Sequence, residues 1–344
     1  MTSGGNGAWH AAFDTWAGEL MRRRDVVGAA IALSDAGVPA FVHGYGTRDR
    51  DAGLPVTVHT RFGLASVTKS FTAAAIMRLQ EDGRLAVDDP VARHLPDLRV
   101  PGLGGPRPMR IEHLLSHSSG LPPLSTRRMV FAQEGAPEDD QPMDGAGVKD
   151  LRVDSGEGVM AALHAMEIDP LGAPGEVFSY SNDGYVLLGE IIARTSGMPY
   201  EAYVTAEILE PAGMIETTFD AAAATGAADV TRLYASLAGE DGSRHARDAG
   251  AWVNPRAWLA PGGLSSCVHD MLRYLELYRT GGMVHERRIL STESVAAMLR
   301  PRIECEPGTW YGYGLSMHDG PDGVRRFHHG GGRVGVSAFN RRRA

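Results

Sequence analysis

Strand-like segments lie at the two ends of this chain and helical segments fill its middle, and that order limits the possible folds more than any other feature. Residues 8–24 space Trp9, Ala12, Phe13, Trp16 and Leu20 as one helix face, and end in a basic turn that suits the helix dipole. Residues 26–46 read as two strands around an Asp35-Ala36-Gly37 turn, an antiparallel hairpin. Thr68–Glu81 is a helix closed by Gly83, with Phe71, Ala74, Ala75 and Leu79 on its core face. Ile111–His117 is a short helix running into a Ser-Ser-Gly-Leu-Pro loop. Residues 134–158 are acidic and rich in Gly and Pro, which reads as a long surface loop able to act as a lid. Asp183–Thr195 is an amphipathic helix capped by Gly197, and Cys267–Arg279 is another, ending at Gly281-Gly282. Ala221–Ala228 reads as a loop. Tyr311–Met317, Val324–His328 and Arg333–Phe339 read as strands. The expectation is an α+β fold: an antiparallel sheet drawn from both ends of the chain and flanked by helices, with an all-helical block inserted. Residues 8–340 form one domain, with a sheet part at about 8–65 and 260–340 and a helical part at about 66–259.

Composition narrows the function classes. The net charge of -8 over 344 residues leaves no basic footprint for nucleic acid. No apolar run approaches the roughly 20 residues of a membrane helix. The first residues lack a basic start followed by an apolar stretch, so a cytoplasmic location is expected. Cys267 and Cys305 alone do not make a disulfide framework.

Three patterns carry chemistry. The first is Ser66-Val67-Thr68-Lys69, at the start of a helix. Residues three apart share a helix face, so the Lys69 amine falls beside the Ser66 hydroxyl. A serine hydroxyl needs a neighbouring base to be a nucleophile, and a desolvated lysine can serve. Lys69 and Lys149 are the only lysines, so this spacing would arise by chance only about one time in ten. The second is Tyr180-Ser181-Asn182, just before a helix. Tyr180 could relay a proton if Lys69 depresses its pKa, and Asn182 could contact both a substrate carbonyl and Lys69. The third is His329-Gly330-Gly331-Gly332, where glycines in a strand allow close approach of a ligand. Each has a plainer reading alone: Ser66 as a helix cap, Ser181 or Asn182 as another, Tyr180 as core, the glycines as a turn.

Taken in this order, the three patterns resemble the S-x-x-K, Y-x-N and K/H-x-G signatures of the serine β-lactamase and penicillin-binding-protein superfamily. The branch most similar holds class C β-lactamases, D-alanyl-D-alanine carboxypeptidases, D-amino-acid peptidases and family VIII carboxylesterases. FGLASVTKSFTAAAIMRLQEDGRLAVDDPV, IEHLLSHSSGLP, the stretch from PGEVFSYSNDGYVLLGEII onward, APGGLSSCVHDMLRYL and YGYGLSM carry the likeness over roughly residues 10–340. The resemblance implies a serine hydrolase working through an acyl-enzyme on a small ester, amide, D-peptide or β-lactam. Ser66 is then the nucleophile, Lys69 its base, Tyr180 the proton relay and Asn182 a substrate contact. His329 and Gly331 occupy the third motif, and the N–H groups of Ser66 and Gly332 stabilise the oxyanion. A histidine at position 329 replaces the permanent cation that would pair with a substrate carboxylate.

The family continues past the third motif with at least one more strand and a C-terminal helix. Here the chain stops at Ala344, which implies that both are missing and that the sheet has an exposed edge. This leaves a catalytically silent binding or scaffold relative as an alternative reading; an acyltransferase that passes the acyl group to an alcohol is a second. No metal or organic cofactor is expected: His113 and His117 stand four apart on a predicted helix, but no acidic or thiol residue nearby completes a site. Trp252, Trp258, Trp310 and Tyr311 are candidates for the pocket wall or the core.

Overall fold

The computed structural model describes residues 6–103, 106–124, 126, 153–220, 229–238, 243–250, 252–253, 256–333 and 335–343. Helix α1, Asn6–Arg24, ends in Arg22, Arg23 and Arg24, where the carbonyl end of the dipole favours cations. It packs on the β1–β2 hairpin, with Phe13 edge-on to Phe41 at 5.4 Å. Strands β1, Gly28–Asp35, and β2, Val38–Asp49, pair antiparallel from Gly28↔Gly46 to Asp35↔Val38. The turn between them puts Ala36 at φ 48° and Gly37 at φ 88°. Positive φ at both central residues twists a two-residue turn to match its strands. The short β3, Leu54–Pro55, completes this sheet.

The chain then crosses β4, Phe62–Gly63, and enters the central helix α2, Thr68–Glu81, through a 3-10 turn at Ala65–Val67. Every residue from Thr68 to Met77 is buried, so α2 is enclosed on all sides rather than amphipathic. Helices α3, Ile111–Leu115, and α4, Gly156–Ala165, lie against α5, Asn182–Ser196, which itself packs on α2. In α5 the Ser181 hydroxyl accepts from Gly184 N at 3.1 Å, and Gly197 closes the helix at φ 74°. Tyr185, Leu187, Leu188, Ile191 and Ile192 of α5 are buried in the same core as Phe71, Ile76 and Leu79 of α2. The span expected to be all-helical also carries a hairpin, β5, Tyr234–Ala238, and β6, Arg244–Asp248.

After β7, Ser265–Ser266, which pairs with β4, come α6, Val268–Arg279, and α7, Thr292–Met298. A five-stranded antiparallel sheet follows: β8, Ile303–Glu306; β9, Thr309–Tyr311; β10, Ser316–Asp319; β11, Arg325–Arg333; and β12, Val336–Arg343.

Several expectations change. Among the described residues the two ends of the chain form separate sheets, not one. The edges of β1 and β12 both line a groove of about 1470 Å³, together with Met271, Leu272 and Leu275 of α6. A strand does follow the third motif: β11 runs through the glycines to Arg333, the chain reverses at Gly335 (φ 81°), and β12 pairs back from Val336↔Arg333 to Arg343↔Arg326. Arg333–Phe339 is therefore a hairpin. Tyr311–Met317 is likewise not one strand. It breaks at Gly312–Leu315, with Gly314 at φ 74°, and Tyr311 pairs with Ser316 on the neighbouring strand. The segment read as a loop to residue 158 already turns into α4 at Gly156, capped by Ser155. Residues 134–152 of that acidic segment, and Ala221–Ala228, lie outside the described residues. Among the described residues, no helix is long and apolar enough to cross a membrane.

Candidate active site

Ser66 sits in the 3-10 turn at the mouth of α2, and from 63 to 77 it alone is not buried. The residue before it, Ala65, is held at φ 45°, a conformation unfavourable for any residue with a Cβ. The Lys69 side chain lies one turn on and is fully buried. Its Nζ is 3.1 Å from Ser66 Oγ, 2.8 Å from Asn182 Oδ1 and 2.8 Å from the Pro261 carbonyl oxygen. It also lies over the Tyr180 ring, 4.9 Å from its centroid, and over Tyr185 at 5.4 Å. The helix spacing thus does what the sequence implied, and α5 brings Asn182 to the same amine across 113 residues.

Tyr180 precedes the Ser181 cap and is hydrogen-bonded to Ser66. The expected depression of its pKa by Lys69 is not found. Burial pushes the phenol well above its ordinary value, and the Ser66 hydrogen bond lowers it only in part. Burial therefore keeps Tyr180 a neutral hydroxyl in the resting site, with Lys69 Nζ over its ring.

His329 lies on β11 and is 5% exposed. Its Nε2 is 2.9 Å from Tyr311 Oη, and its Nδ1 is 2.6 Å from the Gly330 carbonyl oxygen. The carbonyl can only accept, so Nδ1–H donates to it and the Tyr311 hydroxyl donates to Nε2. Both ring nitrogens are therefore satisfied within the protein. Burial and the nearby Lys69 lower its pKa to about 3. The ring is neutral at physiological pH and supplies no cation for a carboxylate. This gives a stability prediction. A histidine whose folded pKa falls below its ordinary 6.5 stabilises the fold above that value, and the contribution is lost as pH falls from about 6.5 towards about 3. The melting temperature is expected to drop over this window, and less steeply in His329→Gln, as read by differential scanning calorimetry.

Gly331 packs against the nucleophile turn. A Cβ there would overlap the Leu64 carbonyl oxygen and come within 3.1 Å of Ser66 N, so only glycine lets β11 lie alongside. Gly332 faces open space, with nothing within 4 Å of a Cβ built on it.

Two groups, the Pro261 carbonyl and His117, have no part in this site in the sequence reading, and Tyr311 stands there only as a candidate for the pocket wall or the core. The Pro261 carbonyl is backbone chemistry that no side-chain pattern signals. Tyr311 is 1% exposed and belongs to the site through His329, whereas Trp310 is on the surface and Trp258 in the core. His117 is not on a helix face with His113, because the helix ends at Leu115 and His117 takes φ 56°. It is fully buried instead, accepts from Ser181 N at Nδ1 (3.1 Å) and lies 4.1 Å from the Tyr180 ring centroid. It thereby fixes the backbone from which Tyr180 and Asn182 project.

The family model described as Beta-lactamase matches residues 13–343. The chain belongs to the Beta-lactamase family. Within it, the chain is 34% identical to protein Rv1367c of Mycobacterium tuberculosis, over 77% of this chain and 65% of that one. It is 35% identical to esterase EstB of Burkholderia gladioli, over 58% and 49%. It thus spans less than two thirds of the length of these curated relatives. Among solved structures it is similar to an octameric penicillin-binding protein homologue from Pyrococcus abyssi, with a TM-score of 0.81 and 31% identity over 97% of this chain and 70% of that one. It is also similar to a D-stereospecific amidohydrolase from Streptomyces sp., with a TM-score of 0.70 and 25% identity over 94% and 87%. The fold is that of the β-lactamase/transpeptidase superfamily.

Proposed function

We propose that this Beta-lactamase family chain is a serine hydrolase that acts through an acyl-enzyme on uncharged esters, and more slowly on amides. One observation carries the reading: the partners of Lys69 Nζ. Two of them, Asn182 Oδ1 and the Pro261 oxygen, can only accept. A neutral amine has two N–H bonds and one lone pair. In the resting contact Nζ donates to Ser66 Oγ at 3.1 Å; once deprotonated, the amine keeps its two N–H bonds on these carbonyls and turns its lone pair to Ser66 Oγ, where it can take the hydroxyl proton.

Ser66 Oγ then attacks the substrate carbonyl, and the proton passes to Lys69 Nζ. The N–H groups of Ser66 and Gly332 stabilise the oxyanion. Tyr180, a neutral hydroxyl, gives its proton to the leaving alkoxide or amine as the tetrahedral intermediate collapses, and the Lys69 ammonium passes the proton it took from Ser66 to the Tyr180 phenolate, so both groups return to their starting states. Water reverses the sequence to release the acid. Asn182 holds Lys69 in place and contacts the substrate carbonyl. His329 acts on the substrate through the wall it forms with Tyr311. The neutral state of His329 favours acyl groups without a carboxylate, and a relative named as an esterase supports the same class.

The test is a comparison of kcat/KM on p-nitrophenyl butyrate with that on a D-alanyl dipeptide bearing a free carboxylate. The ester is expected to be faster by at least about tenfold, given the missing cation. Preference for the carboxylate substrate would overturn the proposed substrate class.

A further inference from the structure

Away from Ser66, three distant chain segments bring unlike donor atoms to one point. His59 precedes β4, Glu216 lies between α5 and β5, and Cys267 caps α6. His59 Nδ1 is 2.9 Å from Glu216 Oε2, and the Cys267 thiol donates to the same oxygen at 3.1 Å. The three donor atoms all lie within 4.8 Å of one another. We propose that His59 Nδ1, Glu216 Oε2 and Cys267 Sγ form a site for one zinc ion that ties these segments together.

The chemistry of the donors selects the ion. Imidazole, carboxylate and thiolate together suit zinc, whereas the thiolate disfavours magnesium and calcium. Zinc–ligand bonds of about 2.0–2.3 Å place tetrahedral ligand atoms about 3.3–3.8 Å apart. The observed separations therefore need only small adjustments for an ion to sit between them. Binding breaks the Cys267 S–H bond, the proton leaves to solvent, and Sγ binds as thiolate. The His59 proton moves from Nδ1 to the exposed Nε2. Carboxylate and thiolate then neutralise the dication, and water takes the fourth position.

The surroundings hold the ligands. Asp270, fully buried, accepts from Glu216 N and Thr217 Oγ1 at Oδ2, both at 2.9 Å, and from Arg273 at Oδ1 at 2.8 Å. It fixes the Glu216 backbone to the first turn of α6, and its oxygens are thereby engaged. His269 lies near, 5.5 Å from His59 between ring centroids. Its Nδ1 accepts from Arg273 at 3.0 Å, so its other nitrogen carries the proton and is no ligand.

The test uses the untagged full chain, stripped with chelator and desalted. Zinc chloride is titrated by calorimetry, and metal content is measured after a second desalting. One zinc per chain is expected. Cobalt(II) in its place should give a thiolate-to-metal charge-transfer band. Cys267→Ser, which keeps a capping hydroxyl for α6, should lose that band and weaken zinc binding at least about tenfold. His59→Ala, on an exposed side chain, should weaken it similarly while keeping the band. His269→Ala should stay within about threefold of the wild type. Absence of retained zinc would overturn the proposal, as would wild-type zinc affinity in Cys267→Ser or in His59→Ala.

Discussion

Lys69→Met is expected to lower kcat on an ester substrate by about a thousandfold, within the range that loss of a positioned general base produces. The Ser66 hydroxyl would keep its place on the 3-10 turn but lose the amine 3.1 Å away. Lys69→Arg discriminates base from mere cation. Guanidinium keeps the charge and donates to the same carbonyls, yet does not give up its proton at any working pH. It should therefore be about as slow as Lys69→Met. Both variants must first be shown to be folded by near-ultraviolet circular dichroism, because Lys69 is fully buried. More than about a tenth of wild-type activity in either would show that Lys69 is not the base.

The second large effect is steric. In Gly331→Ala, the new methyl group would overlap the Leu64 carbonyl oxygen and press on Ser66 N, so β11 or the nucleophile turn must move. Overpacking of this kind costs about 1–3 kcal/mol. Because the displaced atoms include a proposed oxyanion donor, kcat/KM should fall by about a hundredfold or more. Gly332→Ala is the control. Its Cβ meets nothing within 4 Å, so its melting temperature should stay near the wild type. Wild-type stability and activity in Gly331→Ala would show that the strand does not abut the nucleophile.

What could be read in the sequence was mostly local. Ser66 and Lys69 are three apart, and helix geometry alone brings them together. The hairpin at Asp35-Ala36-Gly37 and the cap at Ser181 are similarly short-range signals. The Tyr180 pKa is not legible in a residue string, which does not reveal how far the phenol is buried. The break at Gly312–Leu315 and the reversal at Gly335 were hidden because glycine fits a strand pattern and a turn pattern alike. Tyr311 and the Pro261 carbonyl enter the site only through tertiary packing. The His59, Glu216 and Cys267 cluster was invisible for the same reason: its members are 157 and 51 residues apart.

The measurement that bears most directly on the central claim is intact-mass spectrometry of the folded chain after exposure to a fluorophosphonate, beside Ser66→Ala. Activation of Ser66 by Lys69 predicts a single adduct, mapped by peptide sequencing to Ser66 and absent from the variant. No adduct on a folded chain, or the same adduct in Ser66→Ala, would contradict it.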